Sequence, residues 1–146
     1  MSLTRNLSQL FVAALITGTA AQAEIATIKR VQGSASIERG KKPFAVTPGT
    51  KLEVGDLLST GKDGRISVTF IDNTRFAVGP NSDVAISQFD YDRTRQRGAF
   101  VTQVNRGSLA VVSGKIAKSG RDAMKVRTPN SLLGVRGTRF IVQVPK

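Results

Sequence analysis

The chain has 146 residues, neither cysteine nor histidine, and a formal net charge of +12 at neutral pH. Without cysteine and histidine, disulfides, thiolate or imidazole metal sites, cysteine nucleophiles and Ser-His-Asp relays are excluded. The length suits one domain with a hydrophobic core, and the excess of basic residues favours contact with something anionic.

The first residues are typical of a secretory signal peptide. A basic start precedes an apolar run at residues 10–16 and small residues that end at Ala21-Gln22-Ala23. We predict a signal peptide at residues 1–23 and a mature domain at residues 24–146. A membrane anchor is the alternative, but the apolar run is shorter than the roughly 20 residues that span a bilayer. Export without disulfides favours a bacterial periplasmic or secreted protein with no transmembrane anchor after cleavage.

Turn signals recur along the mature chain at the spacing expected of an all-β domain, about every 8–12 residues. Strands are predicted at residues 24–31, 34–38, 44–46, 52–54, 57–60, 65–71, 75–78, 84–87, 99–104, 108–113, 123–128 and 139–144. The first two strands are expected to form a pair joined at Gly33. The strands at 99–104 and 108–113 are expected to form a hairpin through residues 105–107.

Most large side chains fall on the inward phase of these strands. The predicted aromatic anchors of the core are Phe44, Phe70, Phe76, Phe89, Phe100 and Phe140. Aromatic residues among basic ones can also mark nucleic-acid binding. Their inward phase favours a core role instead, and we predict no nucleic-acid partner.

Basic residues concentrate in the second half of the chain. Residues 24–92 hold nine basic and nine acidic residues, whereas residues 93–146 hold twelve basic residues and one acidic residue. Residues 91–98 are predicted to be an exposed basic loop, and residues 115–122 a polar connection. The candidate partner-binding residues are Arg93, Arg95, Arg97, Arg106, Lys115 and Lys118. Either they contact an anionic partner, or they form a solvated surface.

The sequence gives little support for a catalytic site or a phosphate-binding site. Asp56, Asp63, Asp72 and Asp83 each lie at a turn beside Gly or Asn, where aspartate commonly bonds local backbone. A strand pattern, not a helix, follows the glycine-rich segment 134–138, which argues against a phosphate loop. We therefore predict no enzyme activity and no cofactor or metal, and a structural bend made by Gly134, Arg136, Gly137 and Thr138.

The ordered motifs resemble the FecR domain family over about residues 31–144. They include Gly55-Asp56, Asp72-Asn73-Thr74, Phe89-Asp90-Tyr91-Asp92 and the closing segment from Gly134 to Phe140. The resemblance implies a twisted, solenoid- or sandwich-like β domain. It also implies a place outside the inner membrane, where the best-known members dock with an outer-membrane receptor and relay its occupancy to a sigma factor.

This chain departs from that plan, since we find no anti-sigma segment, retained transmembrane helix or receptor-docking domain in it. We expect a non-enzymatic, protein-binding domain in envelope signalling or regulation. The alternative is a structural or surface protein that binds polyanions or glycans through its basic C-terminal half. Family domains usually continue past the last strand, so we also expect an unpaired edge at residues 139–144 that accepts a strand from a partner or a second copy. The alternatives are a truncated gene product and closure of that edge by the N-terminal strand.

Overall fold

The computed structural model describes Gly18, residues 23–137 and residues 139–145, and this part of the chain is almost entirely β-structure. The strands are β1 (Ala26–Gln32), β2 (Ala35–Arg39), β3 (Lys42–Ala45), β4 (Lys51–Leu52), β5 (Leu57–Thr60), β6 (Arg65–Phe70), β7 (Arg75–Val78), β8 (Asp83–Asp92), β9 (Arg97–Val112), β10 (Met124–Arg127), β11 (Leu132–Val135) and β12 (Arg139–Val144). One short helix, α1 (Lys115–Ser119), connects β9 and β10. The all-β prediction is confirmed.

The long strand β9 belongs to two sheets. Its first part, residues 97–106, pairs with β8, and parallel β10 covers residues 100–103 on the other side. Its last part, residues 107–112, lies between β7 and β12. The front sheet therefore has the order β4-β1-β6-β7-β9-β12, and the back sheet has the order β3-β2-β5-β8-β9-β10-β11.

The two sheets face each other across one aromatic core. Phe70 from the front sheet lies 4.7 Å from Phe100 and 5.5 Å from Phe89 of the back sheet, measured between ring centroids. Phe76 joins them, with its ring 4.7 Å from that of Phe70. These four predicted anchors are buried, whereas Phe44 and Phe140 are half-buried and pack against the margin of the core.

Several predicted connections differ from the structure. The first two strands do not pair with each other, because β1 pairs with β4 and β6 while β2 pairs with β3 and β5. Gly33, with φ of +60°, turns the chain from one sheet to the other, and the N–H of Ser34 donates to the Asp63 carboxylate at 3.1 Å. That hydrogen bond lowers the pKa of Asp63.

The predicted hairpin through residues 105–107 is also wrong. Gly107 has the positive φ expected of a turn, +84°, but β9 continues through it and changes sheets there. The register of β8 against β9 shifts between Asp83 and Val84, which places a bulge just before this glycine. A turn signal within a long strand therefore marks a bend of the strand, not its end.

The predicted loop at residues 91–98 is only half loop, since β8 and β9 pair as far as Asp92 and Arg97 and leave residues 93–96 as the turn. The predicted polar connection at 115–122 contains α1, with Ile116 and Ala117 buried. Strand β11 was not predicted. Within the described residues α1 is the only helix, and none is long and apolar enough to cross a membrane.

Two buried carboxylates hold loops to the sheets. The Asp72 carboxylate accepts the N–H and hydroxyl of Thr74, at 3.0 and 2.8 Å, and the N–H of Ile116 at 3.2 Å. It thus fastens the first turn of α1 to the turn between β6 and β7. The Asp56 carboxylate accepts two hydrogen bonds from Arg39, each 2.8 Å, and the same contact raises the pKa of Arg39. Both aspartates therefore have structural contacts.

Replacing Asp72 by alanine should destabilise the domain by about 3 kcal/mol or more, because it leaves buried donors of Thr74 and Ile116 without an acceptor. Urea unfolding measures this loss. The matched control is Asp90→Ala, whose exposed carboxylate bonds only the Gln88 amide in the described structure and whose loss should cost no more than about 0.5 kcal/mol. Equal stabilities for the two variants would contradict the anchoring role of Asp72.

Gly107→Ala should be more damaging than Gly55→Ala, although both glycines have positive φ, +84° and +94°. A Cβ at Gly107 overlaps the side chain of Ser82, whereas a Cβ at Gly55 meets no atom within 4 Å. We expect about 1–2 kcal/mol of backbone strain in both variants, and about 1–3 kcal/mol of overpacking in Gly107→Ala alone. Thermal and urea unfolding compare them, and similar losses would show that the strand has room at this point.

Candidate functional site

Four of the predicted partner-binding residues come together where the turn between β8 and β9 meets α1. Arg95, Arg97, Lys115 and Lys118, called here the hairpin–helix cluster, line an open hollow of about 370 Å³ with Gln96 and Ser119. The lining contains no carboxylate. The fold thus joins two basic segments that lie about twenty residues apart in the sequence.

Local hydrogen bonds hold both parts of this cluster. The Asp92 carboxylate accepts the N–H groups of Thr94 and Arg95, at 2.9 and 3.1 Å, and so shapes the turn. The same carboxylate lies 3.9 Å from the Arg95 guanidinium, an exposed contact of small energetic value. On the helix side, α1 is fastened by Asp72. The cations therefore project from a backbone that is already ordered.

The other two predicted partner-binding residues lie outside the cluster. Arg93 is exposed in the same turn but does not line the hollow. Arg106 lies at the opposite end of the β8–β9 pair, where its Nε donates to the Asp83 carboxylate at 2.6 Å. Because this ion pair occupies Arg106, we do not include it in the candidate site.

The predicted glycine-rich bend spans the end of β11 and the connection to β12. Gly134 lies within β11, opposite Lys125, whereas Arg136 and Gly137 lie between the two strands. Gly137 has φ of +64°, which favours glycine. A Cβ at this position would lie 3.4 Å from the Cγ atom of Lys118. Thr138 is outside the described residues. Gly134 therefore belongs to a strand, and the structural role of the motif stays a prediction.

The structure contains a second basic surface, which the sequence pattern did not predict. On the outer side of the front sheet, paired residues form a row that crosses five strands, Arg30, Ser67, Ala77, Ala110 and Ile141. We call the shallow groove over this row the front trough. Its volume is about 950 Å³, and Lys29, Arg75 and Arg139 are among the residues that line it.

The front sheet contains no acidic residue in any of its strand segments. It carries six cations, Lys29, Arg30, Lys51, Arg65, Arg75 and Arg139. None of them has an ion pair within the described part of the chain. Lys51 donates to the Thr27 hydroxyl at 3.0 Å, and the five other side chains are exposed. The front sheet therefore carries a positive charge that no acidic residue in its strands neutralises.

Four of the nine acidic residues among residues 24–92 have structural roles elsewhere. Asp56 and Asp72 are buried in hydrogen-bonded networks, Asp83 pairs with Arg106, and Asp63 binds the Ser34 backbone. Counting charges along residues 24–92 gives a neutral total and hides this separation. Assigning charges to each side of each sheet reveals it, but that step requires the strand pairing.

The last strand has one side without a described neighbour. Strand β12 pairs with β9, and no second described strand lies along its other edge. The exposed large apolar residues Leu132, Leu133 and Ile141 lie on β11 and β12. The expected acceptance of a strand along β12 stays a prediction.

The chemistry available at these surfaces is anion binding. Within the described residues, no three carboxylates come close enough to hold a metal ion, and no buried side-chain nitrogen or oxygen lacks a hydrogen-bond partner. The hollow and the trough instead present guanidinium and ammonium groups, which bind carboxylates, phosphates and sulfates.

Comparison with solved structures and with curated proteins gives little information. One solved structure, described as a cell surface anchoring domain, aligns with 22% identity over 42% of this chain and 82% of that one, at a TM-score of 0.40. That similarity is too low to carry an argument. No curated protein matches the chain.

A family model described as FecR protein matches residues 56–146, which is more than half of the chain. The matched region begins at Asp56, later than the resemblance read from the sequence, and includes the hairpin–helix cluster and all of the front sheet except β1 and β4. The chain belongs to the FecR protein family.

Proposed function

We propose that this protein is a non-enzymatic binding domain of the bacterial envelope that recognises an acidic surface on a protein partner. The observation that carries the proposal is the hairpin–helix cluster, in which four cations surround one hollow without a carboxylate in its lining. A complementary acidic patch would meet these cations together, which favours both association rate and correct orientation.

The order of the backbone beneath the cluster supports this role. Lys115 and Lys118 project from α1, whose first turn is fastened by the buried Asp72. Arg95 lies in the turn shaped by Asp92, and Arg97 directly follows that turn. Binding would then order only the long side chains and not the loops. Such preorganisation lowers the entropic cost of association.

The place in the cell envelope and the regulatory role are supported by separate observations. The N-terminal segment has the pattern of a secretory signal peptide, and FecR is a regulatory, non-enzymatic family. Signalling or regulation in the envelope is therefore the role that we propose for the bound state.

A second candidate function is the binding of anionic polymers, which the unpaired cations of the front sheet would attract through charge alone. The two functions differ in selectivity. A protein-binding domain should bind one saturable partner, whereas a polyanion binder should retain many anionic polymers and lose them all steeply as salt is raised. Affinity capture from an envelope extract at low and high salt separates them.

We expect Arg95→Glu/Arg97→Glu to weaken binding to the captured partner about tenfold or more, because two attractive charges become repulsive. The partner is first identified by capture and then titrated in purified form by calorimetry. The matched control, Lys41→Glu/Lys42→Glu, makes the same change in net charge at the turn between β2 and β3. If the hairpin variant captures and binds the same protein as the unmodified domain, the assignment of this surface is wrong.

A further inference from the structure

We propose that the front trough is a second binding site, which takes an extended, acidic and aliphatic peptide segment of a partner protein across the strands of the front sheet. The site is separate from the hairpin–helix cluster, so either can be lost without the other. Three features support it: the shape of the trough floor, the position of its cations and the lack of acidic residues in the strand segments of the front sheet.

The floor of the trough can accept a chain at close range. Ser67, Ala77 and Ala110 are adjacent in register on β6, β7 and β9, and their small side chains leave the sheet surface low. Ile141, with 71% of its surface exposed, continues this row on β12. An aliphatic side chain of a bound peptide could pack on Ala77, Ala110 and Ile141 and remove exposed apolar surface from water.

The length of the row fits a short extended segment. From Arg30 on β1 to Ile141 on β12 the row crosses four spacings between neighbouring strands. Four spacings amount to about 19 Å, and about six extended residues span the same distance. The trough therefore suits a peptide of six to eight residues, by this rough estimate.

Cations are placed along one side of the row and at one end. Arg75 and Arg139 both lie opposite Val112, on the strands to either side of β9, so their backbones are about 10 Å apart. Arg30 ends the row on β1. Guanidinium groups bind carboxylates with two parallel hydrogen bonds, so Asp or Glu side chains along the segment would have several partners.

A peptide fits this surface better than a glycan or a membrane. The front trough has no exposed aromatic ring for a sugar to stack on, since Phe76 is buried and Phe140 is half-buried against the core. It also has no carboxylate to accept sugar hydroxyls. Ile141 lies on a strand of the sheet and not on a protruding loop, which is a poor position for insertion into a bilayer.

The test uses a fluorescein-labelled eight-residue peptide of alternating Asp and Val, titrated into the mature domain by fluorescence polarisation. A peptide of alternating Lys and Val is the charge control. We expect saturable binding of the acidic peptide only. Arg75→Glu/Arg139→Glu should weaken it about tenfold or more, and Lys41→Glu/Lys42→Glu should change it no more than about twofold.

A second variant distinguishes direct contact with the trough from long-range attraction to its positive charge. Ala77 is exposed on the outer side of β7, so Ala77→Tyr fills the trough without changing the net charge or the core. We expect this variant also to weaken binding about fivefold or more, with an unchanged thermal unfolding midpoint. Arg95→Glu/Arg97→Glu should bind the peptide nearly as well as the unmodified domain, which distinguishes failure at this site from failure of the hairpin–helix cluster.

Three results would overturn the proposal. The first is full binding by Ala77→Tyr, and the second is equal loss in the Lys41/Lys42 control, since either would mean attraction to net charge alone. The third is a stronger, trough-dependent interaction with polygalacturonate or with vesicles of phosphatidylglycerol, which would assign the surface to a glycan or a membrane instead.

Discussion

The hydroxyl of Ser82 holds the point at which β9 passes from one sheet to the other. It accepts the N–H of Ser108 at 2.9 Å and lies 3.0 Å from the carbonyl oxygen of Pro80, while Gly107 packs directly against the same side chain. Because β9 borders β7, β8, β10 and β12, this contact sets how the front and back sheets face each other. The aromatic core and both cationic surfaces depend on that relation.

The fold also separates the charges of the chain. Carboxylates are used within the structure, where Asp72 fastens α1, Asp56 binds Arg39 and Asp83 binds Arg106. Most arginines and lysines are left exposed, above all on the front sheet and around α1. A basic protein of this kind does not simply have a diffuse positive surface. Two groups of its free cations are concentrated in shaped surfaces, one on the front sheet and one where the β8–β9 turn meets α1.

Local patterns predicted the strands well, because period-two alternation directly reflects which side of a sheet is buried. The bounds of β5, β7 and β12 agree with the sequence prediction, and so do the four buried phenylalanines. Long-range pairing was not accessible in the same way. The glycine at 107 signals a turn whether the chain reverses or bends, and only its contact with Ser82, directly before β8, decides between them. For the same reason the front trough escaped notice, since its residues come from five strands.

Part of the candidate site could be predicted, because Arg95, Arg97, Lys115 and Lys118 stand out as basic residues in polar segments. The sequence did not reveal that Arg106 is paired, since its partner Asp83 is 23 positions away and opposes it only through the β8–β9 register. Surface charge is thus a property of strand pairing more than of composition. The functional interpretation follows from this sorting of charge and from membership of the FecR family.

Solvent paramagnetic relaxation measures that sorting most directly. Amide and Hα relaxation enhancements from an anionic and a cationic nitroxide give the electrostatic potential near each residue of the isotope-labelled domain. We predict strong enrichment of the anionic probe at two places, over Ser67, Ala77 and Ala110 and around residues 95–97 with α1, and weak enrichment near Asp83 and Arg106. A potential that is uniform over the surface, or as positive at Arg106 as in the front trough, would contradict this prediction.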